Sequence, residues 1–257
     1  MTRTHHFIHF KKIKLLYGRV PKVANTSIKH ALCSLLTEKP TQGMKTTSDK
    51  FWRDFTNNET ELLSPLQARK LRKTHFSFTF VRNPFDRLVA AYNNKVIEIE
   101  NPPSPMQKMG IQHGISFEEF IEIIASNKSE DFDVHIMPQS EILCAGNKLV
   151  PKFVGRMEEI NLHWGYLRKR MNTYDIKLRK TLPHKNSRRA EKKSLREYFY
   201  SSKIINKVVS AYGDDLRIFY PEVSIDDLIE NKPLNSIRPQ QIHRYLKQGK
   251  FKEIEKS

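Results

Sequence analysis

Cysteine is scarce. Cys33 and Cys144 are the only two among 257 residues. That is too few for a disulfide framework or a thiolate zinc site, although a single bridge stays open. Glycine is scarce as well, with nine residues. None falls in a GxGxxG or GxxxxGK[ST] arrangement, which sets aside the dinucleotide-binding and NTPase phosphate loops. Long apolar runs are missing, and none approaches the roughly 20 residues that span a bilayer. Met1 to Phe10 carries three histidines but no apolar h-region and no small-residue cleavage site. No signal peptide is read there, so the expected compartment is the cytoplasm. Acidic residues are in deficit: Lys plus Arg total 45 against 28 Asp plus Glu, a formal net charge of +17. Such a balance asks for an anionic partner, whether nucleotide, nucleic acid, acidic glycan or membrane surface.

What is present is enough for a folded core, with 38% hydrophobic and 10% aromatic residues. Lys14 to Val20 reads as a buried strand that stops at Pro21. Ile28, Ala31, Leu32, Leu35 and Leu36 recur at helical spacing over Thr26 to Leu36. Pro40 to Leu66 is polar and reads as a surface excursion with one short helical turn. Phe76 to Val81 predicts a second strand. It is followed by Asn83 as N-cap and Pro84 at the first position of a helix running to Val96. Asn101 to Gly114 reads as a loop beside the site, and Ser116 to Glu119 as a capping box. Phe153 to Gly155 predicts a third strand, Glu158 to Arg170 a helix, and Ser194 to Tyr212 a longer one. This alternation predicts an α/β fold, a three-layer arrangement with a mostly parallel central sheet flanked by helices. The expected division is a domain over 1–225 and a basic helical tail over 226–257.

Two loops carry chemistry. A strand that feeds a helix through a tight loop makes an anion site from unpaired N–H groups and the positive end of the helix dipole. Here Pro21-Lys22-Val23-Ala24-Asn25 is that loop, and Thr26 and Ser27 add hydroxyls. The alternative is a helix simply capped by Thr26, with Lys22 exposed. Arg82 ends the second strand where open parallel sheets bind ligands, and its guanidinium can fork onto a phosphate. Alternatively Arg82 pairs with an acidic neighbour. Arg87 is either a second contact or a surface residue.

Taken together, the loops resemble a known family. Tyr17 to Ser27 (YGRVPKVANTS) resembles the 5′-phosphosulfate-binding loop of the carbohydrate sulfotransferases. Phe80 to Tyr92 (FVRNPFDRLVAAY) resembles their 3′-phosphate-binding segment, and Phe153 to Glu158 (FVGRME) a further stretch in the same order. The resemblance implies a P-loop-like sulfotransferase fold. It also implies 3′-phosphoadenosine 5′-phosphosulfate (PAPS) as donor co-substrate, a carbohydrate hydroxyl as acceptor, and no metal. On that basis Lys22 is the catalytic lysine. Residues Pro21 to Ser27 hold the 5′-phosphosulfate, and Arg82 clamps the 3′-phosphate. One departure stands out: the family commonly has serine eight residues after the arginine, where this chain has Ala90. Lys185, Arg188 and Arg189 are candidates to compensate, lying within Tyr166 to Gly213, which holds fourteen Lys/Arg against three Asp/Glu.

A hydroxyl acceptor needs a base. His135 is the first candidate, because relatives carry a histidine in a comparable place. His75 sits at the wrong strand end, His184 is another possibility, and Glu98, Glu100 and Glu118 stay open. The acceptor is expected to be an anionic polysaccharide or a glycolipid, the latter implying peripheral membrane contact. Two other readings stand beside the enzyme: a non-catalytic nucleotide-binding relative, and a basic nucleic-acid-binding protein. The second is disfavoured by the absence of a nucleic-acid motif.

Overall fold

The structure, a computed structural model, describes residues 5–41, 43–183 and 193–233. In chain order the elements open with β1 (Phe7–Phe10), β2 (Leu15–Gly18) and α1 (Asn25–Leu32), then α2 (Asp49–Asp54), β3 (Thr60–Leu63) and α3 (Pro65–Leu71). Next come β4 (Phe76–Val81), α4 (Pro84–Tyr92) with a π turn over Asn93–Ile97, α5 (Ser104–Lys108) and α6 (Phe117–Ser126). They are followed by α7 (Gln139–Leu143), β5 (Cys144–Ala145), β6 (Lys148–Leu149), β7 (Phe153–Arg156) and α8 (Ile160–Asn172). The last are α9 (Leu195–Tyr198), α10 (Ser202–Phe219) and α11 (Ile225–Ile229).

The central sheet has the order β3-β1-β2-β4-β7. The β2–β4 and β4–β7 pairs are parallel, whereas β1 is antiparallel to both β2 and β3. Four of the five strands therefore run the same way and only β1 is opposed. Helices flank the sheet, as the alternation of elements implies. Among the described residues no helix is long and apolar enough to cross a membrane.

Strand β4 explains its own alternation. Phe76, Phe78 and Phe80 fill the core on one face, and the hydroxyls on the other face are buried but satisfied. Ser77 donates to the Val150 carbonyl at 3.2 Å and Thr79 to that of Gly18 at 2.8 Å. Gly155 in β7 pairs with Phe80, and a Cβ there would lie 2.4 Å from the Phe80 ring. The glycine is therefore required by packing, not by backbone freedom.

Several sequence expectations are revised. The N-terminal histidine stretch forms β1, whose Phe7, Ile8 and Phe10 are core residues. Pro40 to Leu66 is more than a surface excursion: it supplies β3 and α2, with Phe51 and Trp52 buried. Asn101 to Gly114 contains α5 and does not line the main cleft. The single helix expected over Ser194 to Tyr212 is two, because Ser201 caps a second helix by accepting from the Ile204 N–H. Residues 226–233 do not behave as a tail, since Leu228 and Ile229 of α11 are buried. The rest of the expected tail, from residue 234, lies outside the described residues. Cys33 and Cys144 are both free thiols.

Arg87 is neither a ligand contact nor a surface residue. It is 1% exposed, and its guanidinium donates to three carbonyls: Pro21 at 3.2 Å, Met137 at 2.8 Å and Val134 at 3.2 Å. Buried Asp215 accepts from the N–H groups of Gln139 and Ser140 at 2.8 and 2.7 Å, fixing the start of α7.

Two outcomes follow for stability. Gly155→Ala drives a methyl into the Phe80 ring and lowers unfolding free energy by about 1–3 kcal/mol, read from the urea midpoint. Arg87→Met leaves the three carbonyls without donors. At about 1–3 kcal/mol for each unsatisfied group, the midpoint falls further than for Gly155→Ala. Amide exchange rises first in residues 21–27 and 133–137; equal protection there in both variants would contradict the assigned tether.

Candidate functional site

The main cleft, about 2090 Å³, lies at the carboxyl ends of β2 and β4. Pockets that hold one small ligand run to roughly 300–1,000 Å³, so there is room for two substrates. Pro21, Lys22, Ala24, Asn25, Thr26 and Ser27 line it from the first loop, Arg82 and Ala90 from the second, and His135 from a third. Val23 does not: its side chain is buried in the core. Lys185, Arg188, Arg189 and His184 lie outside the described residues.

The first loop owes its shape to two left-handed residues that are not glycine, Lys22 with φ 67° and Ala24 with φ 45°. Each such residue costs about 1–3 kcal/mol and persists only where its surroundings enforce it. Here the enforcing bonds are visible. Arg87 holds the Pro21 carbonyl, and Arg82 Nη1 donates to the Lys22 carbonyl at 3.0 Å. Ala24 is the N-cap of α1, and no side chain caps the helix. The alternative of a Thr26 cap is thereby removed. The first intrahelical bond runs from the Ile28 N–H to the Ala24 carbonyl at 3.0 Å. The N–H groups of Asn25, Thr26 and Ser27 precede it and belong to the uncapped positive end of the helix. The Asn25 side chain is turned to the core, accepting from the Tyr17 hydroxyl at 3.1 Å.

Arg82 is anchored through its backbone. Gln139 accepts from its N–H at 2.9 Å and donates to its carbonyl at 2.8 Å. Asn83 is locked in turn: Glu158 accepts from its N–H at 2.6 Å, and its side chain donates to the Leu228 carbonyl at 2.7 Å. Its Oδ1 accepts from the Phe85 N–H at 3.1 Å, the expected N-cap of α4. The Arg82 guanidinium does pair with an acidic neighbour, Asp86 at 2.8 Å. Of its five N–H groups, the pairing and the Lys22 carbonyl engage three. The remainder are available to an anion. Ala90 faces the cleft one turn beyond Asp86 and offers no hydroxyl.

His135 is half of a pair that the sequence reading missed. Asp133 Oδ1 lies 2.5 Å from His135 Nδ1 and accepts from the His135 N–H at 2.9 Å. A carboxylate at Nδ1 fixes the tautomer in which Nε2 is the acceptor. Burial pushes the imidazole below its ordinary value of 6.5, against the opposing pull of Asp133, and Lys95 and Lys22 push it down as well. The ring is therefore neutral at neutral pH. The spacing Asp-x-His was the available signal for Asp133. Of the other candidate bases, Glu98 lines the cleft. Glu118 is exposed and accepts from the Tyr200 hydroxyl, and Glu100 is not on the cleft. His75 bonds to His9 at 2.9 Å, away from the cleft.

Opposite Arg82, on the β1 and β3 side, the wall is cationic. Buried Arg19 and Lys29 share the carboxylate of Asp49, and Lys29 also donates to the Thr47 carbonyl at 2.7 Å. Burial pushes the Lys29 ammonium down to about 8. Among the described residues no group of His, Cys, Asp and Glu could hold a metal.

Known proteins are similar to this chain in sequence. Carbohydrate sulfotransferase 10 of Danio rerio is 23% identical over 243 residues, 82% of this chain and 65% of the relative. Carbohydrate sulfotransferase 14 of Mus musculus is 26% identical over 177 residues, 62% of this chain and 44% of the relative. The chain thus spans less than two thirds of the length of either. No solved structure matches it significantly. The pattern of the sulfotransferase family, however, matches residues 5–221, a range that takes in both loops, Asp133, His135 and β7. On the strength of that match the chain belongs to the sulfotransferase family.

Proposed function

We propose that the chain transfers the sulfonate of PAPS to a hydroxyl of a carbohydrate acceptor by in-line displacement. The observation that carries this reading is the convergence of Lys22, Arg82 and the Asp133–His135 pair on one cleft. The residues fit such a donor: an uncapped helix start, a lysine on a left-handed backbone, and an arginine with N–H groups to spare. When bound, the donor supplies a sulfonate carried on a phosphate leaving group.

The protein's part is positioning and charge. The N–H groups of Asn25 to Ser27, with the two hydroxyls, hold the 5′-phosphate. Arg82 holds the 3′-phosphate, and Lys22 neutralises charge on the oxygens that part. His135 Nε2 takes the proton from the attacking hydroxyl, and Asp133 stabilises the imidazolium that results. Arg19, Lys29 and Arg53, set against Asp49 and Glu61, leave the wall opposite Arg82 with an excess of positive charge suited to an anionic polysaccharide or the head of a glycolipid.

Calorimetric titration with 3′-phosphoadenosine 5′-phosphate, against 5′-AMP as control, tests the donor site. Wild type is expected to prefer the 3′-phosphorylated ligand. Arg82→Ala loses about 1.5–3 kcal/mol of that preference, the value of a hydrogen bond to a charged group. Equal binding of the two nucleotides by wild type would remove the reading.

The base has its own signature. The rate is flat above the depressed pKa of His135 and falls as pH drops through it, on the acid side of 6.5. Asp133→Asn removes the interaction that raises the pKa, so the acid limb moves to still lower pH while the plateau drops. His135→Gln lowers kcat by about 10²–10⁴-fold. A limb unmoved in Asp133→Asn would assign the base elsewhere.

A further inference from the structure

Lys22 does not approach the cleft unguided. Its Nζ donates to Oδ1 of Asn94, and Asn94 Nδ2 donates to Glu98 Oε2 at 3.0 Å. All three residues line the cleft. The orientation of this amide follows from chemistry alone. An ammonium only donates and a carboxylate only accepts, so the oxygen of Asn94 faces the lysine and its nitrogen faces the glutamate. Asn94 sits four residues beyond Ala90, within the π turn of Asn93–Ile97 that prolongs α4. Such widened turns are found at functional sites.

We propose that Asn94 is the positioning residue for Lys22, holding its ammonium at the reacting end of the cleft through a neutral acceptor. The choice of a carboxamide matters. A carboxylate in this place would form an ion pair with Lys22 and compete with an anionic ligand. The neutral oxygen of Asn94 fixes the direction of the ammonium and adds no negative charge of its own beside it. Glu98 supplies the rigidity by holding the far end of the amide. The consequence for turnover rests on the sulfonate-transfer reading; the contact itself does not.

The test separates the two. Ligand-free protein is pulse-labelled with acetic anhydride, and lysines are compared by mass spectrometry. In Asn94→Ala the Lys22 amine labels several-fold faster than in wild type, because a bond favouring the ammonium is gone. In Asn94→Asp it labels more slowly. Buried Lys29 serves as the reporter of unfolding and keeps its wild-type rate in both variants. In the same variants, affinity for 3′-phosphoadenosine 5′-phosphate stays within about twofold for Asn94→Ala and falls for Asn94→Asp, and kcat falls about tenfold for Asn94→Ala, or about 1.4 kcal/mol. Equal labelling of Lys22 in wild type and Asn94→Ala overturns the proposal, as does an unchanged kcat in Asn94→Ala where wild type turns over. If wild type neither binds the nucleotide nor transfers sulfonate, the functional reading falls while the labelling arm still decides the role of Asn94.

Discussion

The architecture of the cleft depends on one buried cation. Arg87 takes no part in the chemistry, yet it ties the carbonyl of Pro21 to those of Val134 and Met137. These belong to the loop of the lysine and the loop of the histidine, which are more than a hundred residues apart in sequence. A guanidinium can do this because its five donors are fixed in one plane and its charge survives burial better than an ammonium's. The distance between Lys22 and His135 is therefore set by a rigid planar group, not by the flexible loops that carry them.

The same logic runs through the rest of the site. Strained backbone at Lys22 and Ala24 is held by side chains donating to the carbonyls of the loop. Gln139 and Asp215 fix the chain around Arg82, and Glu158 and Leu228 fix Asn83. In each case a buried polar group that would be costly alone has a hydrogen-bond partner, and that partner is a segment of the cleft. The side chains that line the cleft are thus carried by backbone that buried polar bonds hold in place.

Much of this was legible in the sequence, and the reason is local. The strand–loop–helix units around Lys22 and Arg82 are written in contiguous residues: an apolar run, a proline, a cap, a helical period. Their order alone placed both at the same edge of the sheet. Phe76 to Val81 and Phe153 to Gly155 were readable for the same reason. What escaped was non-local or disguised. Strand β1 is only four residues long and begins amid histidines, so it gives too short a run to show a period. Trp52 looked like part of a polar excursion because its neighbours are charged, although its indole is buried and donates to the Thr46 carbonyl. Arg87 read as a ligand or surface residue because arginine is seldom fully buried. Asp133 and Asn94 gain meaning only when folding brings them to His135 and Lys22. Thr26 had the chemistry of a cap, but the left-handed turn at Ala24 starts the helix before it.

The bond from Asn83 to the Leu228 carbonyl joins residues 145 positions apart. A chain emerging from the ribosome has made the loops of Lys22 and Arg82 long before it makes Leu228. Through most of synthesis the turn that bears Arg82 lacks its last fastening, and the cleft is open at that corner. The nascent protein therefore acquires its finished cleft late, when α11 docks, and a chain released early would expose the two loops without the fastening at Asn83.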